Sequence, residues 1–580
     1  MNPGVATMHK GCIALPLVAF ALGCQVTEPR AGPEAAPPPS ASTSSTEGFH
    51  WGSATPESQG MCGSTKQLGC TKTLLNIWND IRNLKYNTKR FVVIRNDKVI
   101  YDKGGTLAYH VFSSNKGLLG APTLVYAMSK CGVGLTDPAS KWLAPGDGAR
   151  WATTFPWTDI TVEHLATHTS GVCDYGNSSA VCHDQYPTWE IDFERAKNGG
   201  PNHVYPKDAF TIGRAKAEQN REPALPPGSV YEYSNVGHIL LNYIVQKACG
   251  QKLADIYDLY IKQSGMGSPV NPAVIYTDNA QIFNQSAGIA KWNGLDGAAV
   301  LRLAGRQGIW DNQNIEPVRY WHLLTKITDN LAAAAAVGRG VIYRNNSDNM
   351  WTSSAGHRRL SLETFGHGGN FSNIFVNDPL TSTIIVRQGD NNANGASYLT
   401  LNGCAPGWTG TAPTCTTGKN WSNNWNISTS QVASPEMGPR KKVLEPLQEA
   451  FFFPPPFCRM TSVAGNAVNG TTDVYESQPE ATTINLAAEI AVNPREGAGS
   501  SVVDRVEFYK EVNGTPPEYI GDGTLVAGTS PEQYELAYGA DSHGTAGEVV
   551  TYFANCVAQS VQDNSKKVPS YSQPVRVKRL

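Results

Sequence analysis

The sequence is poor in charge. Asp, Glu, Lys and Arg make up 17% of its 580 residues, and 47 basic against 49 acidic groups leave a net charge of -2. No long basic run occurs. A nucleic-acid binder needs a basic face for phosphates, so no nucleic acid is expected as a partner and neutral or small partners are. The sequence also lacks Cys-x-x-Cys and His-Glu-x-x-His, two spacings that hold zinc. His164 and His168 stand at i and i+4, but without the glutamate they read as part of a helix end. Neither a metal nor a cofactor is expected. The apolar run from Cys12 to Leu22 is too short to span a bilayer.

That run, preceded by Lys10, reads as an export signal. Residues 1–23 are expected to be the signal peptide. Ala21-Leu22-Gly23-Cys24 resembles the lipobox of bacterial lipoproteins, with Ala21 where leucine is preferred. A lipid anchor at Cys24 and plain secretion both stay open. Residues 24–50 are rich in Pro, Ala, Ser and Thr and include Pro37-Pro38-Pro39, a composition that cannot bury a core and suits a tether.

Twelve cysteines fit export. Setting aside Cys12 and Cys24 leaves an even number. Short loops favour Cys62 with Cys70, Cys173 with Cys182 and Cys404 with Cys415; by elimination Cys131 falls to Cys249 and Cys458 to Cys556. Other connectivities, and buried thiols, remain formally open. At this length the chain exceeds one ordinary domain, and its 40% hydrophobic content suffices for real cores. One catalytic-size unit and a smaller module are expected.

Phe91-Val92-Val93-Ile94 and Val99-Ile100-Tyr101 flank the polar Arg95-Asn96-Asp97-Lys98, which reads as a β-hairpin. Next comes Ser113-Ser114-Asn115-Lys116. A helix starting at Ser113 would put the Lys116 amine one turn along the same face, in reach of the serine oxygen, where it could take or relay the proton. The helix N-terminus would point N–H groups at the place where an acyl-transfer oxyanion forms. Pro122, Gly117 and Gly120 predict a kink or short break in that helix, with Leu118, Leu119, Leu124, Val125 and Met128 on its buried side.

The segment Ile160-Thr161-Val162-Glu163-His164-Leu165-Ala166-Thr167-His168-Thr169-Ser170-Gly171 resembles a characteristic stretch of the serine β-lactamase family, the group that holds class C β-lactamases, DD-peptidases and related esterases and amidases. Ser-x-x-Lys lies upstream of it at about the family's distance. The family's second motif, Tyr-x-Asn after a Pro-Gly, is matched by Tyr233 and Asn235 behind Pro227-Gly228. Its third, a Lys-Thr-Gly strand or the His-x-Gly variant, is matched by His367-Gly368-Gly369-Asn370. The resemblance implies Ser113 as nucleophile and Lys116 and Tyr233 as the proton-handling pair. It further implies an oxyanion hole from the Ser113 and Asn370 N–H groups, with Asn235, His367 and Gly369 orienting substrate. His367 in place of a lysine binds a substrate carboxylate less well, which favours an ester or amide substrate over efficient β-lactam hydrolysis. No Gly-x-Ser-x-Gly elbow competes with this reading.

The implied fold is α+β over residues 51–453, an antiparallel sheet flanked by helices plus an all-α subdomain. A disulfide-bearing excursion is expected at about 404–426, and residues 440–453 read as a closing helix despite Pro446. Pro454-Pro455-Pro456 reads as a stiff boundary. Residues 458–580 show short strands between turn signals and resemble the Ig-like modules that bacteria append to surface enzymes, so an all-β sandwich is expected there. It would serve as a passive spacer, or as a contact to the cell wall or another surface. The sequence thus points to an exported serine hydrolase acting through an acyl-enzyme on an ester or amide bond. The alternative is a catalytically inactive surface protein that recognises peptidoglycan or another ligand.

Overall fold

The structure is a computed structural model. It describes residues 49–67, 69–82, 88–142, 160–170, 227–228, 235–258 except 252 and 254, 291–310, 313–325, 344–345, 363–369, 373–389, 443–477 except 445, 483–492, 501–512, 516–539 and 546–580. The export signal, residues 24–48 of the tether and the 404–426 excursion lie outside these residues. Among the described residues no helix is long and apolar enough to cross a membrane.

The strands in chain order are β1 (Gly52–Ser53), β2 (Thr88–Arg95), β3 (Lys98–Gly104), β4 (Tyr109–His110), β5 (Lys291–Trp292), β6 (Ile309–Trp310), β7 (Gln313–Asn314), β8 (Arg344–Asn345), β9 (Phe365–Gly369), β10 (Asn373–Asp378) and β11 (Thr383–Gly389). The helices are α1 (Leu74–Ile81), α2 (Ala121–Lys130), α3 (Val162–Ala166), α4 (Asn235–Cys249), α5 (Gly294–Gly305) and α6 (Val318–Thr325). Seven strands form one sheet in the order β1-β3-β2-β11-β10-β9-β8. Its pairings are antiparallel apart from β1 against β3.

Strand β2 explains the layering. Its side chains alternate, as a pleat requires. Val92 and Ile94 enter a core with α2, α4, α5 and α6, while Phe91 and Val93 enter a second core with α1 and residues 443–453. Strand β11 divides in the same way, with Ile384 and Val386 on the first face and Ile385 on the other. Both faces are therefore covered, and each buried Val, Ile or Phe contributes about 1.5–3 kcal/mol. The expected hairpin is present. Asn96 and Asp97 have φ of 49° and 59°, the two left-handed positions of a tight hairpin turn that asparagine and aspartate tolerate.

The closing segment is helical at residues 443–448 apart from 445. Pro446 lies within it and does not end it. Pro454, Pro455 and Pro456 are buried. With Phe451, Phe452 and Phe453 buried just before them, the chain runs against protein straight into the next strand.

That strand begins the β-rich C-terminal region: β12 (Phe457–Val463), β13 (Asn466–Ala467), β14 (Tyr475–Ser477), β15 (Thr483–Ala491), β16 (Ser501–Glu511), β17 (Glu518–Asp522), β18 (Thr524–Val526), β19 (Glu532–Gly539), β20 (Val549–Ser560), β21 (Lys567–Tyr571) and β22 (Val575–Arg579). One sheet runs β13-β12-β15-β19-β18; the other runs β14-β22-β20-β16-β17, with β21 pairing β20. Their facing side chains make a third core, and Cys458–Cys556 joins β12 to β20 across it. The arrangement is a sandwich.

Strand β20 is buried on both sides. Val550, Tyr552, Ala554 and Cys556 point into the sandwich, and Thr551, Phe553, Asn555 and Val557 on the opposite face are buried too. On that second face Phe553 packs against Tyr509 and Tyr571, and Asn555 Nδ2 donates to Glu507 at 2.8 Å; the first region joins beside them. Arg95 donates to the Pro569 carbonyl, the Tyr571 N–H donates to Asn96 Oδ1 at 2.9 Å, and Gln573 Nε2 donates to the Gly305 carbonyl at 3.0 Å. Arg306 pairs with Glu511 at 2.6 Å, both largely buried. The sandwich thus packs directly on the β2–β3 turn and the end of α5.

Cys62–Cys70 and Cys131–Cys249 are also bonded. The pairings expected for Cys173–Cys182 and Cys404–Cys415 fall outside the described residues.

Candidate active site

Ser113 lies at the middle of a short 3-10 turn, Phe112–Ser114, and not at the start of an α-helix. The next turn, Lys116–Gly120, is a π-helix, and regular α-helix begins only at Ala121. The predicted irregularity is present, and its cause is visible. The Ala121 N–H donates to the Lys116 carbonyl five residues back. Widening the ladder there lets Pro122, which has no N–H to give, enter the first turn of α2 instead of breaking it.

The geometry nonetheless meets the chemical requirement. Lys116 Nζ donates to Ser113 Oγ at 3.3 Å. Lys116 is fully buried and Ser113 half-buried, which leaves the hydroxyl accessible and the amine dry.

Four contacts clamp this segment. Strand β4, just before it, pairs with β5, Tyr109 against Trp292 and His110 against Lys291. Asn373 Nδ2 donates to the His110 carbonyl at 3.2 Å. Trp292 Nε1 donates to Asn115 Oδ1 at 2.9 Å. The fourth contact is Gly369. A Cβ there would lie 2.0 Å from the Val111 carbonyl oxygen and 2.9 Å from Ser114 Oγ. The bare backbone lets β9 lie against the serine turn, a close approach only glycine permits.

The third motif therefore sits beside the first. His367 is buried in β9 opposite Phe375. A carbonyl can only accept, so the His367 Nδ1–H donates to the Gly368 oxygen at 2.7 Å, which leaves Nε2 as the ring's acceptor. Asn370 lies outside the described residues.

The His-Thr-Ser segment follows α3. Thr161 caps that helix: its Oγ1 accepts from the His164 N–H at 3.2 Å, and His164 Nδ1 accepts from the Thr161 N–H at 3.2 Å. His164 thus serves a helix start. His168 departs from helix with φ of 59°. The segment also holds the second motif's entry, because the Gly228 N–H donates to the Thr169 carbonyl at 2.7 Å. Asn235 is the first residue of α4, and nothing is described of its side chain. Tyr233 lies outside the described residues.

Sequence reasoning missed three contributors. Asn373 holds the chain before Ser113 and Trp292 holds Asn115 after it, and no local pattern marks either. His238 was marked by spacing: it lies three residues after Asn235, one helical turn along the same face. Its ring is fully buried and lies against that of His168, centroids 4.6 Å apart. Burial holds its basicity well below the usual imidazole range, and the charge of Lys116 lowers it further. Both effects favour the neutral form of the His238 ring.

Comparison with known proteins places this arrangement. The chain shows structural likeness to a β-lactamase from Mycobacterium bovis at 17% identity, covering 54% of this chain and 90% of that one with a TM-score of 0.35. A D-stereospecific amidohydrolase from a Streptomyces species matches at 18% identity over 54% and 93%, with a TM-score of 0.38. A penicillin-binding protein from Bacillus halodurans matches at 15% identity over 55% and 95%, also at 0.38. No curated protein sequence matches significantly. The family model described as Beta-lactamase matches residues 90–388, more than half of the chain and every motif described above. The chain belongs to the Beta-lactamase family, a family of serine hydrolases.

Proposed function

We propose that this protein is an exported serine hydrolase that cleaves an ester or amide bond through an acyl-enzyme on Ser113. The observation that carries the reading is the 3.3 Å hydrogen bond between a fully buried lysine amine and a half-buried serine hydroxyl. Lys116 takes the proton as Ser113 Oγ attacks the carbonyl carbon, and the hydrogen bond between the two gives that proton its path. Tyr233, expected across the cleft, shares the proton work and passes a proton to the leaving group. The Ser113 and Asn370 N–H groups stabilise the oxyanion, and Asn235, His367 and Gly369 orient the substrate. Water then attacks the acyl carbon and frees Ser113.

His367 steers the substrate class. A neutral imidazole in place of a lysine offers no fixed charge to a carboxylate, so esters and uncharged amides fit better than penicillins. Three disulfides fit an oxidising compartment, reached through the signal at residues 1–23, with Cys24 lipidated or the protein simply secreted. The catalytic domain is assigned to residues 51–453 and an Ig-like sandwich to 458–580.

The test is labelling with a fluorophosphonate probe, with assays on chromogenic esters, D-amino-acid amides and a cephalosporin. The wild type is expected to label and to turn over an ester or amide, and Ser113→Ala to do neither. An unlabelled wild type without Ser113-dependent turnover would leave the inactive binding protein as the reading.

A further inference from the structure

The seam between the sandwich and the first region holds a partly open cavity that the acyl-transfer scheme does not use. Its volume is about 40 Å³, room for roughly three waters. The first region lines it with Asp97 from the β2–β3 turn, Arg306 from the end of α5 and Asn377 from β10; the sandwich lines it with Phe553, Tyr571 and Gln573. Asn373, towards the other end of β10, is the residue that holds the chain before Ser113. Four residues of strand advance about 13 Å, so the cavity is separate from the serine.

Two features make this a built site and not a packing gap. The first is a pair of held amides. Asn377 is 4% exposed, and its Nδ2 donates to the Leu301 carbonyl at 2.7 Å. That bond fixes the amide and leaves Oδ1 as an acceptor with no donor among the described residues. Gln573 repeats the arrangement: its Nε2 is committed to the Gly305 carbonyl at 3.0 Å, and its Oε1 has no donor among the described residues. The second feature is a strip of aromatic rings. Phe553 and Tyr571 have centroids 5.1 Å apart, Tyr509 stacks on Phe553 at 5.5 Å, and Tyr519 meets Tyr509 edge-on at 5.8 Å. The strip crosses β21, β20, β16 and β17 and ends in Tyr519, which keeps 51% of its surface in water. Packing does not require so open a ring.

We propose that this seam binds an uncharged saccharide, with the hydroxyl edge of one sugar in the cavity and its neighbours on the aromatic strip. Sugar hydroxyls donate to the Asn377 and Gln573 amide oxygens. The C–H bonds on the face of a sugar ring carry slight positive charge and lie on the negative face of an aromatic ring. The charges around the cavity cancel, Asp97 and Glu511 against Arg302 and Arg306, so a phosphate or a metal ion finds no net attraction. The walls are already fixed by the bond from the Tyr571 N–H to Asn96 and by the Arg306–Glu511 pair, so binding needs little reordering. Neither Ser113 nor Lys116 takes part, and the proposal stands apart from the acyl-transfer reading.

The test is affinity electrophoresis of the full chain in native gels cast with hydroxyethyl cellulose, arabinoxylan, soluble starch or glycol chitin, and with hyaluronate as the anionic comparison. At least one of the neutral polymers should retard the wild type, and to the same extent at low and high salt. Tyr519→Ala, which changes a half-exposed ring, and Gln573→Ala should each weaken that binding by about threefold or more, with thermal unfolding near that of the wild type. Leu525→Ala is the control. Its side chain is similarly exposed, at 50%, but lies in the other sheet, and this variant should bind as the wild type does. A wild type that no neutral polymer retards overturns the proposal. Retardation by hyaluronate alone does so too, as does undiminished binding in both Tyr519→Ala and Gln573→Ala, or a loss in Leu525→Ala as large as theirs.

Discussion

Replacing Gly369 by alanine tests the claim that strand β9 holds the serine turn in place. The added Cβ would sit 2.0 Å from the Val111 oxygen, 2.9 Å from Ser114 Oγ and 3.1 Å from Ser114 N. Real Cβ contacts stay beyond 3.0 Å, so β9 and the turn must part by about 1 Å. The nearest obstacles include backbone, which cannot rotate aside. Overpacking of this kind costs about 1–3 kcal/mol of stability, or roughly 1–4 °C in Tm for a unit of about 400 residues. The catalytic loss should be larger in relative terms, because a misplacement of about 1 Å at a reacting centre costs on the order of a hundredfold. The assay is kcat/KM on whichever ester proves to be a substrate, with thermal unfolding alongside. Gly539→Ala is the control: its Cβ would meet nothing within 4 Å, and it should change neither quantity appreciably. A Gly369→Ala enzyme with wild-type kcat/KM would refute the reasoning, since the turn would then be positioned without the strand.

Three further predictions concern stability. Glu511→Ala removes the nearer carboxylate partner of the largely buried Arg306 and leaves it Asp97 at 3.5 Å, which should cost about 1.5–3 kcal/mol in urea unfolding, whereas the double variant Arg306→Met/Glu511→Met should recover part of the loss. Breaking Cys131–Cys249, which closes 118 residues of sequence, should cost about 3–5 kcal/mol on the chain-entropy argument; Cys131→Ser/Cys249→Ser read by urea unfolding checks it. Asp97 concerns pH: burial opposes its ionisation, but the charge and the two hydrogen bonds of Arg302, with Arg306 nearby, outweigh that and hold its carboxyl below the ordinary 3.8. A depressed folded-state value means that its stabilisation is complete above the unfolded value and is lost as pH falls through the folded one. Unfolding free energy should therefore drop below about pH 4, with a shallower drop in Asp97→Asn.

Much of this was legible in the sequence, and what was not has an identifiable cause. The hairpin could be read because two apolar runs flank a turn that tolerates left-handed backbone, all within a few residues. Cys62–Cys70 could be read from its short loop. The irregular helix after Ser113 was legible from Pro122, but its solution was not: whether a chain answers a proline with a kink or a π-turn is decided by the packing of Leu118, Leu119 and Leu124 in the core. Trp292 lies far along the chain from the Asn115 side chain it holds, and only tertiary structure could pair them. The burial of Pro454, Pro455 and Pro456 was not legible either, because nothing local in the sequence records that protein would cover them.

The π-turn at Lys116–Gly120 carries a consequence in register. Such a turn is an α-helix with one residue too many, so removing one residue between Gly117 and Gly120 would restore an unbroken ladder. Each residue of an α-helix advances the chain by about 100°. The deletion would leave Leu124, Val125 and Met128 facing their core and swing Lys116 and Ser113 about 100° around the helix axis. The helix would become more regular, and its reactive pair would face the wrong way. One surplus residue is what lets the same stretch of chain present a hydrophobic side to the core and the Ser113–Lys116 pair in a different direction.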